Sequence, residues 1–335
     1  ALLLINCSGQ ESQIIQDYLQ ELSDSNQFNG NVLVIKSDTS LYRQSFGFAK
    51  GNRAEKLTEH HLFQIGSIYK EFPAVAIMQF EEKGLLSLED SLSHFLPELP
   101  LWASDIQIKH LLQYSSGLPL IDWSALFQGD EKVSLELVLM QLKNVEELEF
   151  FPGSDYLYSN YNPMLLIRVI EQLADMGFKQ YLEQHIFIPY GIDGIVLANQ
   201  FPFTDTPSEI FAAPFNEYYQ EDHLAYELPS ICASLNGIQQ WFEKLDNFQI
   251  ITEKSVKRLS EEVIEGTNIQ SPLGRADWEG NELQLHLHHG STGNYECLVR
   301  HYKSKEVMII LLTNRKQRNL HSIADRIYHF LNKPN

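Results

Sequence analysis

The sequence predicts an α+β fold: one antiparallel sheet, formed by the N- and C-terminal segments and flanked by helices, with an all-helical lobe inserted between those segments. Two observations predict the sheet. Strand-like runs gather at both ends of the chain, and the polar stretches between them are short enough to be turns. A third predicts the lobe, because the long middle carries apolar residues at helical spacing. The expected boundaries are residues 1–10 as an export-segment remnant or tail, 11–80 together with 225–335 as the sheet lobe, and 81–224 as the mainly helical lobe.

Ile14, Ile15, Tyr18, Leu19 and Leu22 share one helical face, so residues 11–24 read as an amphipathic helix that Asn29-Gly30 ends. Residues 31–36 and 42–49 flank the turn-rich 37–40 and read as a hairpin. Helical spacing then dominates, as in Ile108, Leu111 and Leu112, in 138–142, and in Met164, Ile167, Ile170 and Leu173. Near the other end, 283–289, 295–302 and 307–313 are strand-like, and a last amphipathic helix carries Leu320, Ile323, Ile327 and Leu331. There is no internal repeat. Termini that complete one sheet around a helical insertion place the expected active site in the cleft between the lobes.

The 335 residues are 44% apolar, which excludes a disordered or fibrous chain. A formal charge of −19, with no Lys/Arg cluster, makes nucleic acid and anionic membrane poor partners. Cys7, Cys232 and Cys297 are too few and too scattered for a disulfide framework or a thiolate metal site. Cys232 and Cys297 read as buried free thiols. Cys7 follows Leu2, Leu3, Leu4 and Ile5, which suits either an export segment ending at a lipid-modifiable cysteine or an apolar terminal strand or remnant. Membrane contact is expected only through a lipid on Cys7.

Three segments carry chemistry. Ser67 and Lys70 stand three apart at a helix start, so their side chains share one face about 5–6 Å apart, and an amine there could take the serine proton. Alone, this pattern is also an ordinary helix start. Tyr158-Ser159-Asn160 precedes an apolar helix and could present a phenol and an amide on one side while Ser159 faces away; otherwise Asn160 simply caps the helix. His288-His289-Gly290-Ser291 closes a strand, where alternation puts His286 and His288 on one face and Gly290 allows close approach to the backbone.

Together the three segments resemble the serine beta-lactamase and penicillin-binding-protein superfamily, specifically its class C beta-lactamase-like branch with esterases and D-amino-acid peptidases. There Ser-x-x-Lys, Tyr-x-Asn and Lys/His-x-Gly occur in this order. Residues 111–119, ending Ser-Gly-Leu-Pro, and the block from 151 to 171 resemble the family too. The resemblance runs from about residue 28 to the end and implies a beta-lactamase/transpeptidase-like fold. It implies Ser67 as nucleophile, with Lys70 and Tyr158 sharing the proton work as a coupled pair. It further implies Asn160, His288, Gly290 and Ser291 at the substrate, and the amides of Ser67 and Ser291 as an oxyanion hole.

Two departures modify the expectation. His288 stands where drug-hydrolysing members carry lysine, so a mostly neutral imidazole replaces a fixed cation; this disfavours penicillins and predicts better carboxylate binding below pH 6. Pro73 falls six residues into the presumed catalytic helix, so that helix is either kinked or starts later. A transition metal on His286, His288 and His289 with Glu282 or Glu296 lacks a recognised ligand spacing, and neither metal nor cofactor is expected. Tyr218-Tyr219 either lines a substrate mouth or fills an interface. The sequence therefore points to a cell-envelope serine hydrolase that forms an acyl-enzyme on a small-molecule ester, amide or peptide. The rivals are a true beta-lactamase or D-alanyl-D-alanine carboxypeptidase, and a catalytically silent envelope binding module.

Overall fold

The computed structural model describes residues 2–127, 133–198, 210–221, 226–227, 230–261 and 271–332; the expected lobe boundary at 224/225 lies outside the described residues. The strands are β1 (Gly30–Lys36), β2 (Thr39–Phe46), β3 (Phe63–Gln64), β4 (Val133–Ser134), β5 (Ile195–Ala198), β6 (Tyr226–Glu227), β7 (Ser230–Ala233), β8 (Arg275–Glu279), β9 (Glu282–Thr292), β10 (Tyr295–Tyr302) and β11 (Val307–Thr313). The main sheet runs β2-β1-β11-β10-β9-β8, so both chain ends build it as expected. Its seam is the antiparallel pair β1–β11, with Gly30 opposite Thr313 and Lys36 opposite Val307. Every neighbour in this sheet is antiparallel. The hairpin turn is tighter than residues 37–40: Ser37 and Asp38 both take positive φ, as a two-residue turn matching the strand twist requires.

Strand alternation sorts the core onto two faces. Val32, Val34, Ile309 and Leu311 pack against the helix α1 (Leu2–Asp24) and the C-terminal helix Leu320–Leu331, through Ile15, Leu19, Ile323 and Ile327. Leu33, Ile35, Ile310 and Leu312 face the opposite way, toward the helix α2 (Glu71–Glu82) and the helix Leu235–Asp246. The terminal helix begins at Leu2, well before the 11–24 supported by apolar spacing. Cys232 and Cys297 are buried free thiols. No helix of the described residues is long and apolar enough to cross a membrane.

Pro73 is accommodated by a late helix start. A 3-10 turn covers Gly66–Lys70, and α2 begins only at Glu71. Pro73 therefore sits in the first turn, where backbone N–H groups lack an intrahelical acceptor in any case.

Candidate active site

Ser67 is the second and Lys70 the last residue of that 3-10 turn, whose tighter winding nearly eclipses residues three apart. Lys70 Nζ lies 3.0 Å from Ser67 Oγ. Lys70 is 4% exposed, and apart from Ser67 its Nζ lies near two ring faces, 4.8 Å from the Tyr158 centroid and 5.0 Å from that of Tyr69. Burial lowers its pKa to about 7. Half the molecules at neutral pH thus hold a free amine beside the hydroxyl, which an ordinary lysine would not provide.

Tyr158 comes from a loop held by the 114–119 segment. Leu157 N donates to Tyr114 O, Gly153 N to Ser115 O, and Ser159 Oγ to Pro119 O, so Ser159 faces away as expected. The Tyr114 ring packs 4.6 Å from that of Tyr158. The Tyr158 hydroxyl is buried and makes no hydrogen bond of normal geometry. Burial raises its pKa, with Ser67 and Tyr114 pulling the other way. Burial thus moves the two groups in opposite directions, keeping the phenol protonated where Lys70 is not. Asn160 begins the helix Tyr161–Ala174 without capping it through its side chain, and that side chain lines the cleft.

The third segment reaches Ser67 through two glycines. A Cβ on Gly290 would stand 1.9 Å from Ile65 O and 2.9 Å from Ser67 N; one on Gly66, at φ +53°, would stand 2.2 Å from Ser291 N. Gly290 thus admits the Ser67 turn, where the expectation was approach by a substrate. Thr292 and Tyr295 close a two-residue turn as a hydrogen-bonded pair, so Ser291 and Glu296 form the next, non-hydrogen-bonded pair. The Ser291 N–H consequently points away from β10, on the strand segment packed against the Ser67 turn. Ser67, Lys70, Asn160 and Ser291 line this cleft of about 660 Å³, with Trp123 and Met164 as apolar walls.

His288 does not join that lining. Its ring is 1% exposed and its Nδ1 lies 2.5 Å from Glu71 Oε1. Burial lowers its pKa, partly opposed by Glu71, so the imidazole is not a cation offered to a substrate carboxylate, contrary to the expected gain below pH 6. Spacing and residue type put His288 on the correct strand, but the partner that turns it inward was hidden: Glu71 looks like an ordinary first-turn acid. Glu71 is fully buried and also accepts from Trp241 Nε1 at 2.5 Å. Its pKa is lowered: burial works upward and is outweighed by His286 and His288.

Glu71, His286 and His288 form the one compact group of metal-ligating side chains among the described residues. His289 lies on the other face, on Glu296, which separates it from the His pair considered from sequence. His286 Nδ1 meets Asp246 Oδ1 at 2.7 Å and its Nε2 meets the Leu273 carbonyl at 3.0 Å. Both partners are acceptors, so both ring nitrogens carry hydrogen. The ring is an imidazolium; burial works against its charge, but Asp246 and Glu71 raise its pKa to about 10. A doubly protonated ring has no lone pair for a metal, and a proton supplies the positive charge here.

The Beta-lactamase family model matches residues 15–331. Over 227 residues the chain is 30% identical to penicillin-binding protein 4* of Bacillus subtilis (strain 168), covering 67% of this chain and 49% of that one, so it spans about half the length of this curated relative. The penicillin binding protein from Bacillus halodurans shares the fold with a TM-score of 0.80 at 19% identity, over 92% of this chain and 98% of that one. D-amino acid amidase from Ochrobactrum anthropi SV3 does so with a TM-score of 0.77 at 17% identity, over 97% and 98%. The sheet joined by the chain ends, the clustered Ser67, Lys70 and Tyr158, and a sequence match across nearly the whole length lead to one conclusion: the chain belongs to the Beta-lactamase family.

Proposed function

We propose that the chain is a serine hydrolase that works through an acyl-enzyme on a small ester or amide, with Ser67 as nucleophile. The observation that carries this reading is the buried Lys70 amine, held near pKa 7, 3.0 Å from Ser67 Oγ in an open cleft. Neutral Lys70 takes the hydroxyl proton as Oγ attacks the carbonyl carbon. The resulting oxyanion sits between the amides of Ser67 and Ser291, a class of contact worth ~3–4 kcal/mol per donor. Collapse breaks the bond to the leaving group, which departs with a proton passed from Lys70 by way of the Tyr158 phenol. Water then attacks the Ser67 ester, giving a proton to the amine; collapse breaks the bond to Oγ, which takes that proton back from Lys70, and the acid is freed.

Asn160 is assigned to the acyl side of the substrate. Because His288 is neutral and turned toward Glu71, it offers a substrate carboxylate no fixed cation, which favours uncharged esters and amides over penicillins. The setting assigned is the cell envelope, in keeping with the penicillin-binding proteins among its relatives. Intact-protein mass after exposure to a serine-reactive fluorophosphonate tests the reading. One adduct in the wild type and none in Ser67→Ala is expected. An unmodified wild type would favour a silent binding module, and an adduct retained in Ser67→Ala would remove Ser67 from its role.

A further inference from the structure

A second concavity, a polar recess of about 1000 Å³, shares no lining residue with the Ser67 cleft. The C-terminal end of α1, the segment after β2, Tyr219 and Arg315 enclose it. Arg315 follows β11 and is 8% exposed. Its Nε is fully buried and has no hydrogen-bond partner, and no carboxylate lies within ion-pair distance among the described residues. Arg300, 6% exposed, also has an unpartnered Nε, but unlike Arg315 it is paired with a carboxylate, Asp325, and reaches His321.

A largely buried guanidinium whose Nε–H has no partner and which has no ion pair costs the folded chain free energy that an oxyanion would offset. This chain carries 44 carboxylates against 25 Lys and Arg, so the missing partner does not reflect a shortage of acids. Further positive charge gathers at the same place. Arg53 and Arg315 both stand over the Tyr219 ring, 4.7 and 5.3 Å from its centroid, and the Tyr219 hydroxyl is fixed by Asn26 at 2.8 Å. Lys56, which lines the recess, packs 3.9 Å over Phe48 with no carboxylate partner among the described residues. The carboxylate in the lining is Asp24, on the exposed rim and held by Gln20.

We propose that this recess is a second ligand site, taking a small polar molecule through a carboxylate or phosphoryl oxyanion seated on Arg315 and Lys56 against Tyr219. The planar guanidinium fork suits either oxyanion, and the mostly polar lining suits a hydrophilic body rather than an acyl chain. The site is independent of the proposed hydrolysis.

Inorganic phosphate and succinate, each titrated against chloride at constant ionic strength and followed by calorimetry and thermal unfolding, test it. Saturable binding of at least one anion is expected in the wild type and in Ser67→Ala. Arg315→Gln should weaken it at least about tenfold, and Lys56→Gln, an exposed substitution that leaves the fold intact, by a smaller factor. Phosphate alone would identify a phosphoryl ligand, succinate alone a carboxylate. Without anion, Arg315→Gln should unfold no earlier than the wild type, since it removes an uncompensated buried charge. No binding of either anion, or equal binding by Lys56→Gln and Arg315→Gln, would overturn the assignment. So would an Arg315→Gln protein that unfolds earlier while Lys56→Gln binds as the wild type does.

Discussion

Replacing Lys70 by methionine should abolish turnover and make the protein more stable. Lys70 is 4% exposed, and burial alone lowers its pKa from 10.5 to about 7. That shift corresponds to ~5 kcal/mol of preference for the neutral form, which the folded chain bears whenever the unfolded lysine is protonated. Methionine is close in volume and carries no charge, so the penalty disappears, less ~1 kcal/mol for the lost hydrogen bond to Ser67. The expected gain is ~4 kcal/mol at pH 6 to 7. The sign with pH is fixed: between the two pKa values the unfolded state holds more protons, so the wild type recovers stability as pH rises, and the gain shrinks by ~2 kcal/mol between pH 7 and 9. Urea unfolding of both proteins at each pH, with matched m-values, measures the difference. The wild-type curve alone does not serve, because His286, raised to about 10, contributes stability that is complete below its unfolded value and lost as pH climbs through 10. That contribution cancels in the difference. A pH-independent difference, or a less stable Lys70→Met, would refute the neutral-amine argument.

Further outcomes follow from the same geometry. The kcat/KM for a neutral ester should fall about tenfold per pH unit below pH 7 and level off above, as the Lys70 amine titrates; an acidic limb confined below pH 5 would contradict this. Gly290→Ala should lower kcat about 100-fold with circular dichroism unchanged, because its Cβ would push Ile65 and Ser67 away from the Ser291 strand; undiminished kcat would remove the oxyanion assignment. His286→Leu should destabilise the fold by ~3–5 kcal/mol in urea, leaving Glu71 and Asp246 buried without their cation, and a loss under ~1 kcal/mol would show that this ring is not the counter-charge.

The sheet was legible because its signals are local. Near-continuous apolar runs in 31–36 and 307–313 and helical spacing in 320–331 survive in the fold almost unchanged, as strands buried on both faces and an amphipathic helix. The Ser67–Lys70 pair was legible for the same reason, being fixed by three residues of helical geometry. What eluded the sequence depends on distant partners. Glu71 reads as a first-turn acid until Trp241 and His288, 170 and 217 positions away, are seen to close on it. Tyr219 was left between two readings, and only the fold sets it between Arg53 and Arg315.

The adjacency of Lys70 and Glu71 poses the question that the buried histidines answer. A carboxylate facing the Lys70 amine would hold it protonated, and a protonated lysine cannot accept the Ser67 proton. Helical winding turns consecutive side chains about 100° apart, so Glu71 points away from the cleft if something on that side is worth pointing at. Trp241, His286 and His288 provide it: Trp241 and His288 each present a hydrogen to the carboxylate, and His286, 3.3 Å from it, brings the positive charge. The Lys70 shift accordingly has burial as its cause and no carboxylate opposing it. On this view the inward turn of His288 does more than forgo a substrate cation. It keeps negative charge behind the helix, and thereby keeps the amine in front of it free to act as a base.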